Sequence, residues 1–284
     1  MKSILLSFVV IFAITFMSFN KEKTDKYEGF YWKDIENSVV KIKNNLYASK
    51  YEVTNVQFRA FRHILLTKNQ QDLFEVAKID SSNWLDKSMY NEPYANMYFW
   101  HPAYANYPLV NVTFEGAKLF CEWLTNEYNA NPKRKYKKVL FRLPTVAEWE
   151  FAASNGKDQF LYPWGNKLYM NQHFMCNFTG VGEENIRMDT LTKKIFIERD
   201  NSLGIAGSLS DNADITAPVN SYFPNEFGLY NVCGNVAEMT SEKGISKGGS
   251  WKCLGGDVKI KSTAYYSKSQ SDLGFRYFME VVEQ

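Results

Sequence analysis

Two stretches of the chain place apolar residues three and four positions apart, the spacing of one face of an α-helix. The first stretch begins after Thr54, and its apolar positions are Phe58, Phe61 and Leu65. The second begins after Thr113, and its apolar positions are Ala117, Phe120, Leu124 and Tyr128. Because a threonine hydroxyl can accept a hydrogen bond from a free backbone N–H, both threonines are predicted to cap these helices.

Shorter elements are predicted around the two helices. Residues 47–53 and 139–142 are predicted to form strands. The Thr-Val-Ala-Glu sequence at 145–148 has the spacing of a capping box and predicts a third helix that ends near Gly156. From Tyr162 onward, turn residues interrupt every apolar run, so loops and short strands are expected there.

The amino terminus has the features of an export signal. Residues 4–19 form an apolar run behind Lys2, short for a membrane span of about 20 residues and typical of a secretory signal. Residues 1–20 are therefore predicted to be a signal peptide, or an uncleaved anchor, since Ser18-Phe19-Asn20 is a poor cleavage match. Residues 21–44 are predicted to be a linker or first strand and residues 45–284 one domain, which works outside the cytoplasm.

Residues 68–106 show no clean periodicity and are rich in aromatic side chains. A long stretch of this kind inside a domain is usually functional or an insertion, and we expect it to contact a protein partner. The net charge is only +2, and no Lys/Arg run dominates a segment, so nucleic-acid binding is not expected. The basic cluster at 131–138 is interpreted as a solvated loop between a helix and a strand.

Several blocks of sequence occur in the order found in one protein family. They are RLPTVAEWE at 142–150, YPWG at 162–165, FGLYNVCGNVAE at 227–238, KGGSW at 247–251 and GFR at 274–276. Together they resemble the sulfatase-modifying factor family, whose founding members are formylglycine-generating enzymes. The resemblance implies an α+β fold related to C-type lectins, with few helices, small twisted antiparallel sheets and long loops. The insertion gives a looser resemblance to the gliding-motility and type 9 secretion branch.

The resemblance also implies two structural calcium sites. The first would use the side chains of Asn231 and Glu238 and the carbonyls of Gly234 and Val236. The second would use the side chains of Asn177 and Asp211 and the carbonyls of Phe178 and Ala213. Mixed oxygen donors suit calcium. The alternatives are a tight turn capped by Asn and Glu at the first site and an ordinary acidic surface loop at the second.

The resemblance is incomplete where it matters for chemistry. The family's oxidases hold Cu(I) between two thiolates, soft ligands for a soft metal, and use oxygen to oxidise a sulfatase cysteine. Cys253 matches the first thiol and Ser250 the serine of the preceding turn, whereas Val258 stands where the second thiol falls. Neighbouring Asp257 is a hard oxygen ligand, poorly suited to Cu(I).

Two functions therefore remain open. The favoured one is a non-oxidase binding or scaffold module with a protein partner. The other is a formylglycine-generating oxidase that uses copper, Cys253 and Ser250 on a cysteine-containing peptide. The three histidines share no metal-ligand spacing and no nucleophile elbow occurs, so iron-dependent sulfur transfer and serine hydrolysis are not supported.

The remaining cysteines give expectations about disulfides. Relatives often bridge the position of Cys121 to a cysteine just after the Gly-Phe-Arg block, where this chain has Tyr277, so that bridge is predicted to be absent. Cys176 and Cys233 each flank a proposed metal loop and either pair with each other or stay as buried thiols. Arg276 is predicted to be a buried ion-pair partner rather than a catalyst.

Overall fold

A computed structural model describes residues 32–85, 91–179, 186–197 and 213–284 of the chain. The predicted leader at 1–20 and the proposed metal ligand Asp211 lie outside these described residues. Within them, none of the helices combines the length and the apolar character needed to cross a bilayer.

The described residues form six α-helices and two short 3₁₀ turns. The helices are α1 (Trp32–Ser38), α2 (Asn55–Thr67), α3 (Gln71–Val76), α4 (Glu92–Met97), α5 (Phe114–Ala130) and α6 (Val146–Ala153). The 3₁₀ turns are Ser81–Trp84 and Pro102–Tyr104.

Strands in the described residues are short. Up to residue 174 they are β1 (Val39–Lys43), β2 (Leu46–Ser49), β3 (Lys138–Arg142), β4 (Tyr169–Met170) and β5 (His173–Phe174). From residue 186 onward they are β6 (Ile186–Met188), β7 (Ile195–Ile197), β8 (Ala237–Met239), β9 (Ile245–Lys247), β10 (Ala264–Tyr265), β11 (Leu273–Gly274) and β12 (Phe278–Glu283).

Two four-stranded sheets organise the fold, and the predicted α+β class with few helices and small sheets is confirmed. The first sheet has the order β1-β2-β12-β3 and is antiparallel throughout, so the last strand of the chain lies in its interior. Phe278 faces Ala48 on one side and Arg142 on the other. The second sheet has the order β10-β9-β8-β11, with β11 parallel to β8. Two-stranded pairs β4-β5 and β6-β7 complete the set.

The predicted helix starts are confirmed in detail. Thr54 and Thr145 each accept a hydrogen bond from the backbone three residues on and complete a capping box. The Thr113 hydroxyl accepts from Gly116 N at 3.0 Å. Helix α6, which was predicted to end near Gly156, ends at Ala153. The chain enters the left-handed region at Asn155 and stays there at Gly156, so the helix cannot continue.

The strand predicted at 47–53 is wrong in its second half. The sheet ends at Ser49, and beyond it the backbone bonds to other segments: Lys50 N donates to Ser38 O at 2.6 Å, and Val53 N donates to Phe275 O at 2.9 Å. These N–H donors bond to distant segments instead of to a neighbouring strand, so the strand does not continue despite its local propensity.

The main core lies between helices α2 and α5 and the first sheet. The Phe58 and Phe120 rings stack with centroids 5.8 Å apart, and Phe61 meets Phe120 edge to face at 5.6 Å. Tyr277 packs in this core among Phe120 and Phe141 and near Cys121, and its hydroxyl contacts the Ser38 hydroxyl at 3.2 Å. An aromatic ring thus occupies the region where a bridge from Cys121 was predicted to be absent.

Strand β3 forms one edge of the first sheet, and side chains of α5 cover it. The Asn129 side chain accepts from Val139 N and donates to Val139 O, both at 2.9 Å. The Thr125 hydroxyl accepts from Phe141 N at 2.8 Å. The outward-facing backbone groups of these two residues are therefore already hydrogen-bonded.

The described parts of the segment 68–106, residues 68–85 and 91–106, are more ordered and more buried than the sequence indicates. It contains α3, α4 and both 3₁₀ turns, and Trp84 and Tyr98 are almost fully buried. Trp84 stacks on Trp251 with ring centroids 6.3 Å apart and lies 4.8 Å from Tyr98. The expectation that the aromatic side chains of this segment contact a partner is wrong for these two rings, because they form a core of their own.

Candidate functional site

A glycine turn after β9 positions the predicted serine and cysteine. Gly248 and Gly249 both have positive φ, at 87° and 65°. A Cβ on Gly249 would come within 2.8 Å of the Val258 side chain, so the turn requires glycine there. The turn buries Ser250 completely and leaves Cys253 partly exposed.

Ser250 links Cys253 to a carboxylate. Its hydroxyl donates to Asp272 Oδ2 at 2.7 Å and accepts from the Lys252 backbone N–H at 3.2 Å. The Cys253 Sγ lies 3.4 Å from the same hydroxyl. Because the single hydroxyl hydrogen of Ser250 is already donated in the hydrogen bond to Asp272, the Cys253 thiol is the donor in this contact.

This arrangement favours the protonated thiol. Burial is the main cause that raises the pKa of Cys253, and the Asp272 and Asp257 carboxylates raise it further, while the contacts with Ser250 oppose the shift. A thiol with a raised pKa is a poor metal ligand at neutral pH, since the thiolate is the form that binds metals.

Cys253 opens onto a small polar cavity of about 350 Å³, named here the cysteine cleft. Its lining residues are Asn83, Lys252, Cys253, Gln270, Ser271 and Asp272. The Lys252 ammonium donates to Ser271 Oγ at 2.7 Å, and the Asn83 amide donates to Ser269 Oγ at 3.1 Å. The cleft therefore offers amides, hydroxyls and two charged groups. The charged groups are the Lys252 ammonium, which is hydrogen-bonded to Ser271, and the Asp272 carboxylate, which is hydrogen-bonded to Ser250.

Val258 does not take part in the cleft. Its side chain is 0% exposed and packs into a second hydrophobic core that includes Trp149, Cys176 and Cys233. All four cysteines are free thiols, so the predicted alternative of a bridge between Cys176 and Cys233 is not present. Cys121, Cys176 and Cys233 are each buried away from solvent, and none of them lines the cleft. Cys253 is the cleft's one thiol.

The two predicted metal loops lie against each other. Asn235 N donates to Asn177 O at 2.8 Å. Gly234 has φ 72°, and a Cβ there would be 2.2 Å from Asn177 O, so only glycine permits this approach. The backbone carrying Asn231 to Glu238 is thus in direct contact with the backbone carrying Asn177 and Phe178.

Glu238 is engaged by protein donors. The Arg276 guanidinium donates to both of its carboxylate oxygens at 2.7–3.0 Å, and Trp149 Nε1 donates to Oε2 at 2.7 Å. Arg276 also donates to the carbonyls of Ser49, Lys50 and Tyr230. The prediction that Arg276 is a buried ion-pair partner is confirmed.

Glu52 is a functional-site residue that the sequence analysis missed. It is 1% exposed and accepts hydrogen bonds from the Asn235 amide at 2.8 Å and the Asn231 amide at 3.3 Å. Burial raises its pKa to about 8, with Arg276 lowering it and Glu238 raising it. The signal in the sequence that could have indicated Glu52 was its position, a charged residue directly before Val53 and the helix cap Thr54. Glu52, Asn231, Asn235, Glu238 and Arg276 are named here the buried charge cluster.

The asparagine side chains fit a bound cation. Asn177 Oδ1 and Asn231 Oδ1 are both buried and have no hydrogen-bond partner among the described residues, although the Nδ2 atoms of both residues donate to protein acceptors. A buried acceptor without a partner is costly, and a calcium ion takes such amide oxygens as ligands. Glu238 fits less well because Arg276 already balances its charge. The Asn177 loop is therefore the better of the two candidate sites.

Comparisons with known proteins agree on one family. A model for the sulfatase-modifying factor enzyme 1-like domain matches residues 18–281. The formylglycine-generating enzyme of Thermomonospora curvata is 34% identical over 137 residues, 48% of this chain and 34% of that protein. The inactive C-alpha-formylglycine-generating enzyme 2 of Bos taurus is 29% identical over 51% of this chain and 38% of that protein.

A solved structure supports the fold alone. The Treponema denticola variable protein 1 has a TM-score of 0.51 with 17% identity, covering 86% of this chain and 91% of that one. The chain spans well under half the length of the two curated relatives described above, so their activities do not transfer with the match.

Proposed function

Because the chain belongs to the sulfatase-modifying factor family, we propose that it is an exported, calcium-stabilised binding or scaffold module that lacks the family's cysteine-oxidase activity. The cysteine cleft would contact a protein partner. Fold membership alone does not decide this, since activity resides in particular sites.

The observation that carries the proposal is the single thiol of the cleft. A linear two-thiolate site for Cu(I) needs two soft ligands, and this cleft has one. Burial raises the pKa of that thiol and so favours its protonated form, and the Ser250 hydroxyl that contacts it donates its hydrogen bond to Asp272. At the position of the second thiol, Val258 is packed into the core, where it supports the glycine turn.

Calcium would have a structural role. The unpartnered oxygens of Asn177 and Asn231 support this, because both belong to loops with little sheet bonding. When bound, calcium would be held by Asn177 Oδ1 with the carbonyls of Phe178 and Ala213, and by Asn231 Oδ1 with those of Gly234 and Val236. Export is supported by the apolar run at residues 4–19.

The alternative is a formylglycine-generating oxidase with copper and oxygen as co-reactants. The retained Ser250–Cys253 contact and the complete glycine turn favour it. Under this alternative, Cys253 would be the copper ligand and Ser250 its positioning partner.

A peptide oxidation assay separates the two functions. The full chain is supplied with Cu(I) under air and given a peptide of the Cys-x-Pro-x-Arg type, and mass spectrometry follows the conversion of thiol to aldehyde. We expect no conversion and no Cu(I) retained after gel filtration. Conversion that disappears in Cys253→Ala would overturn the proposal.

Val258→Cys is the matched control for this assay. It restores a thiol at the position of the family's second cysteine while removing little core volume. Copper retained by Val258→Cys but not by the unsubstituted chain would trace the loss of metal binding to this position. Copper bound equally by both proteins would show that one thiol suffices and would support the oxidase.

A further inference from the structure

Arg62 is a buried cation that lacks the partners such a group normally has. Its side chain is 9% exposed, and its Nε has no hydrogen-bond partner. Burial lowers its pKa, and the charge of Glu75 on α3 raises it. The Glu75 carboxylate itself accepts a hydrogen bond from the Gln71 side chain at 3.2 Å. The Nε atom itself is buried, so an acceptor that arrives from outside would meet the terminal amino groups of the guanidinium, and a desolvated cation gains from such an acceptor.

Aromatic rings hold this guanidinium in place. Its carbon lies 4.2 Å from the Phe74 ring centroid, 5.6 Å from Trp100 and 5.9 Å from Phe99. These distances are within the range of cation–π contact. Arg59, one turn earlier on α2, donates to Phe99 O at 2.8 Å and fixes the same aromatic segment. The rings therefore hold the Arg62 guanidinium in position, with the Glu75 carboxylate as a nearby charge.

The surface around Arg62 is apolar and exposed. Trp100 is 57% exposed and Met97 is 50% exposed, both from the insertion that also supplies Phe99. Leu66, one turn beyond Arg62 on α2, and Leu73 and Val76 on α3 are exposed as well. We name the surface formed by Arg62, Leu66, Phe74, Met97 and Trp100 the Arg62 face. It is separate from the cysteine cleft, with which it shares no residue.

We propose that the Arg62 face docks a segment of a partner protein in which an aspartate or glutamate stands beside an apolar side chain. The carboxylate would accept hydrogen bonds from the Arg62 guanidinium, whose planar donors suit a carboxylate. The apolar neighbour would cover Trp100 and Leu66. The positive charge of Arg62 favours an acidic residue in the partner, and the exposed side chains of Trp100 and Met97 favour an apolar residue beside it.

Peptide display tests this directly. A random 12-residue library is selected on the immobilised full chain and, in parallel, on Arg62→Gln, Trp100→Ala and Lys118→Gln. Lys118 is an exposed lysine on α5 outside the Arg62 face and serves as the charge-matched control. Selected peptides are then synthesised, and their affinities are measured by fluorescence anisotropy at two ionic strengths.

We expect selected peptides to carry an acidic residue next to an apolar one. Loss of one charge-assisted contact should weaken binding by about tenfold or more in Arg62→Gln and in Trp100→Ala, with no change in Lys118→Gln. Glu75→Gln should tighten binding, because it removes a carboxylate that repels the incoming one. This variant retains Arg62 and its rings, so it tests the proposal independently of any folding defect.

Three outcomes would overturn the proposal. The first is that the unsubstituted chain enriches no acidic sequence, and the second is that Arg62→Gln binds the same peptides equally well. The third is that inorganic phosphate at physiological ionic strength displaces the peptides completely, which would identify a simple anion site. None of these outcomes bears on the copper assay, so the two proposals fail separately.

Discussion

The buried charge cluster and the cysteine cleft are held in different ways. In the cluster, Arg276 bonds to segments 38–227 residues away in sequence, and Glu52 bonds to Asn231 and Asn235. In the cleft, the bonds of Ser250 reach only Lys252, Cys253 and Asp272.

This difference separates the residues that hold the fold from those that carry chemistry. Removing one member of the cluster leaves a buried charge without its partner, which the fold tolerates poorly. Removing the Cys253 side chain from the cleft leaves no buried charge without its partner, because this thiol is partly exposed and carries no ion pair. Val258 belongs to neither group, because its side chain packs in the second hydrophobic core.

The largest expected effect is at the cluster. Arg276→Met leaves Glu238 buried and unpaired, so the free energy of unfolding should fall by about 3–5 kcal/mol. Urea denaturation followed by circular dichroism measures this, and Lys41→Met on the exposed face of β1 is the control. A loss no greater than that of the control would remove the distinction between the cluster and the cleft.

A smaller loss is expected at the Asn177 loop, and it should depend on calcium. Asn177→Ala removes the 2.6 Å bond to Ile215 O and the proposed ligand oxygen, so it should cost about 1–3 kcal/mol. Its melting temperature should be the same with calcium and with a chelator, whereas that of the unsubstituted chain should rise with calcium.

Asn129→Ala is the matched control for the calcium prediction. It also removes amide hydrogen bonds to backbone, at the edge of β3, but lies outside the proposed metal loops. It should lower the melting temperature and retain the calcium response. If calcium has no effect on the unsubstituted chain, the Asn177 site is not a calcium site.

At the cleft, the expected change in stability is within about 1 kcal/mol. Cys253→Ala removes a partly exposed side chain whose hydrogen bond to Ser250 is long. Thiol labelling gives a second measurement, because the other three cysteines are buried. Cys253 should be modified first in the native protein, and Cys253→Ala should show no fast phase. A fast phase that survives the substitution would place another thiol at the surface.

The smallest effect is a pH dependence at the start of α6. Hydrogen bonds from Arg142 are the main cause that lowers the pKa of Glu148 to about 2. A lowered folded-state pKa means that the contribution is complete above the ordinary value of 4.5 and is lost as pH falls towards 2. Glu148→Gln and Arg142→Gln should each flatten the stability curve in this window. A slope unchanged in both variants would assign the acid sensitivity to other groups.

Local signals in the sequence account for the parts of the fold that were predicted correctly. Thr54, Thr113 and Thr145 act on backbone groups three residues away, so their roles are visible in a short window of sequence. The family blocks added the glycine turn and the position of Arg276.

The sequence was less informative where partners are far apart in the chain. Glu52 meets Asn231 and Asn235 across about 180 residues, and no periodicity encodes that contact. The aromatic residues of the insertion were predicted to face a partner because composition alone does not distinguish a ring in a satellite core from one at the surface. Trp84 belongs to the first kind and Trp100 to the second.

The covered edge of β3 has a consequence for aggregation in concentrated solution. An exposed edge strand is a template on which further strands can add, and such growth leads to fibrils. Here the outward backbone groups of Val139 and Phe141 are occupied by Asn129 and Thr125 of the same chain. Another molecule cannot extend the sheet at these positions without first displacing α5, so concentrated solutions are protected at this edge from strand-by-strand polymerisation.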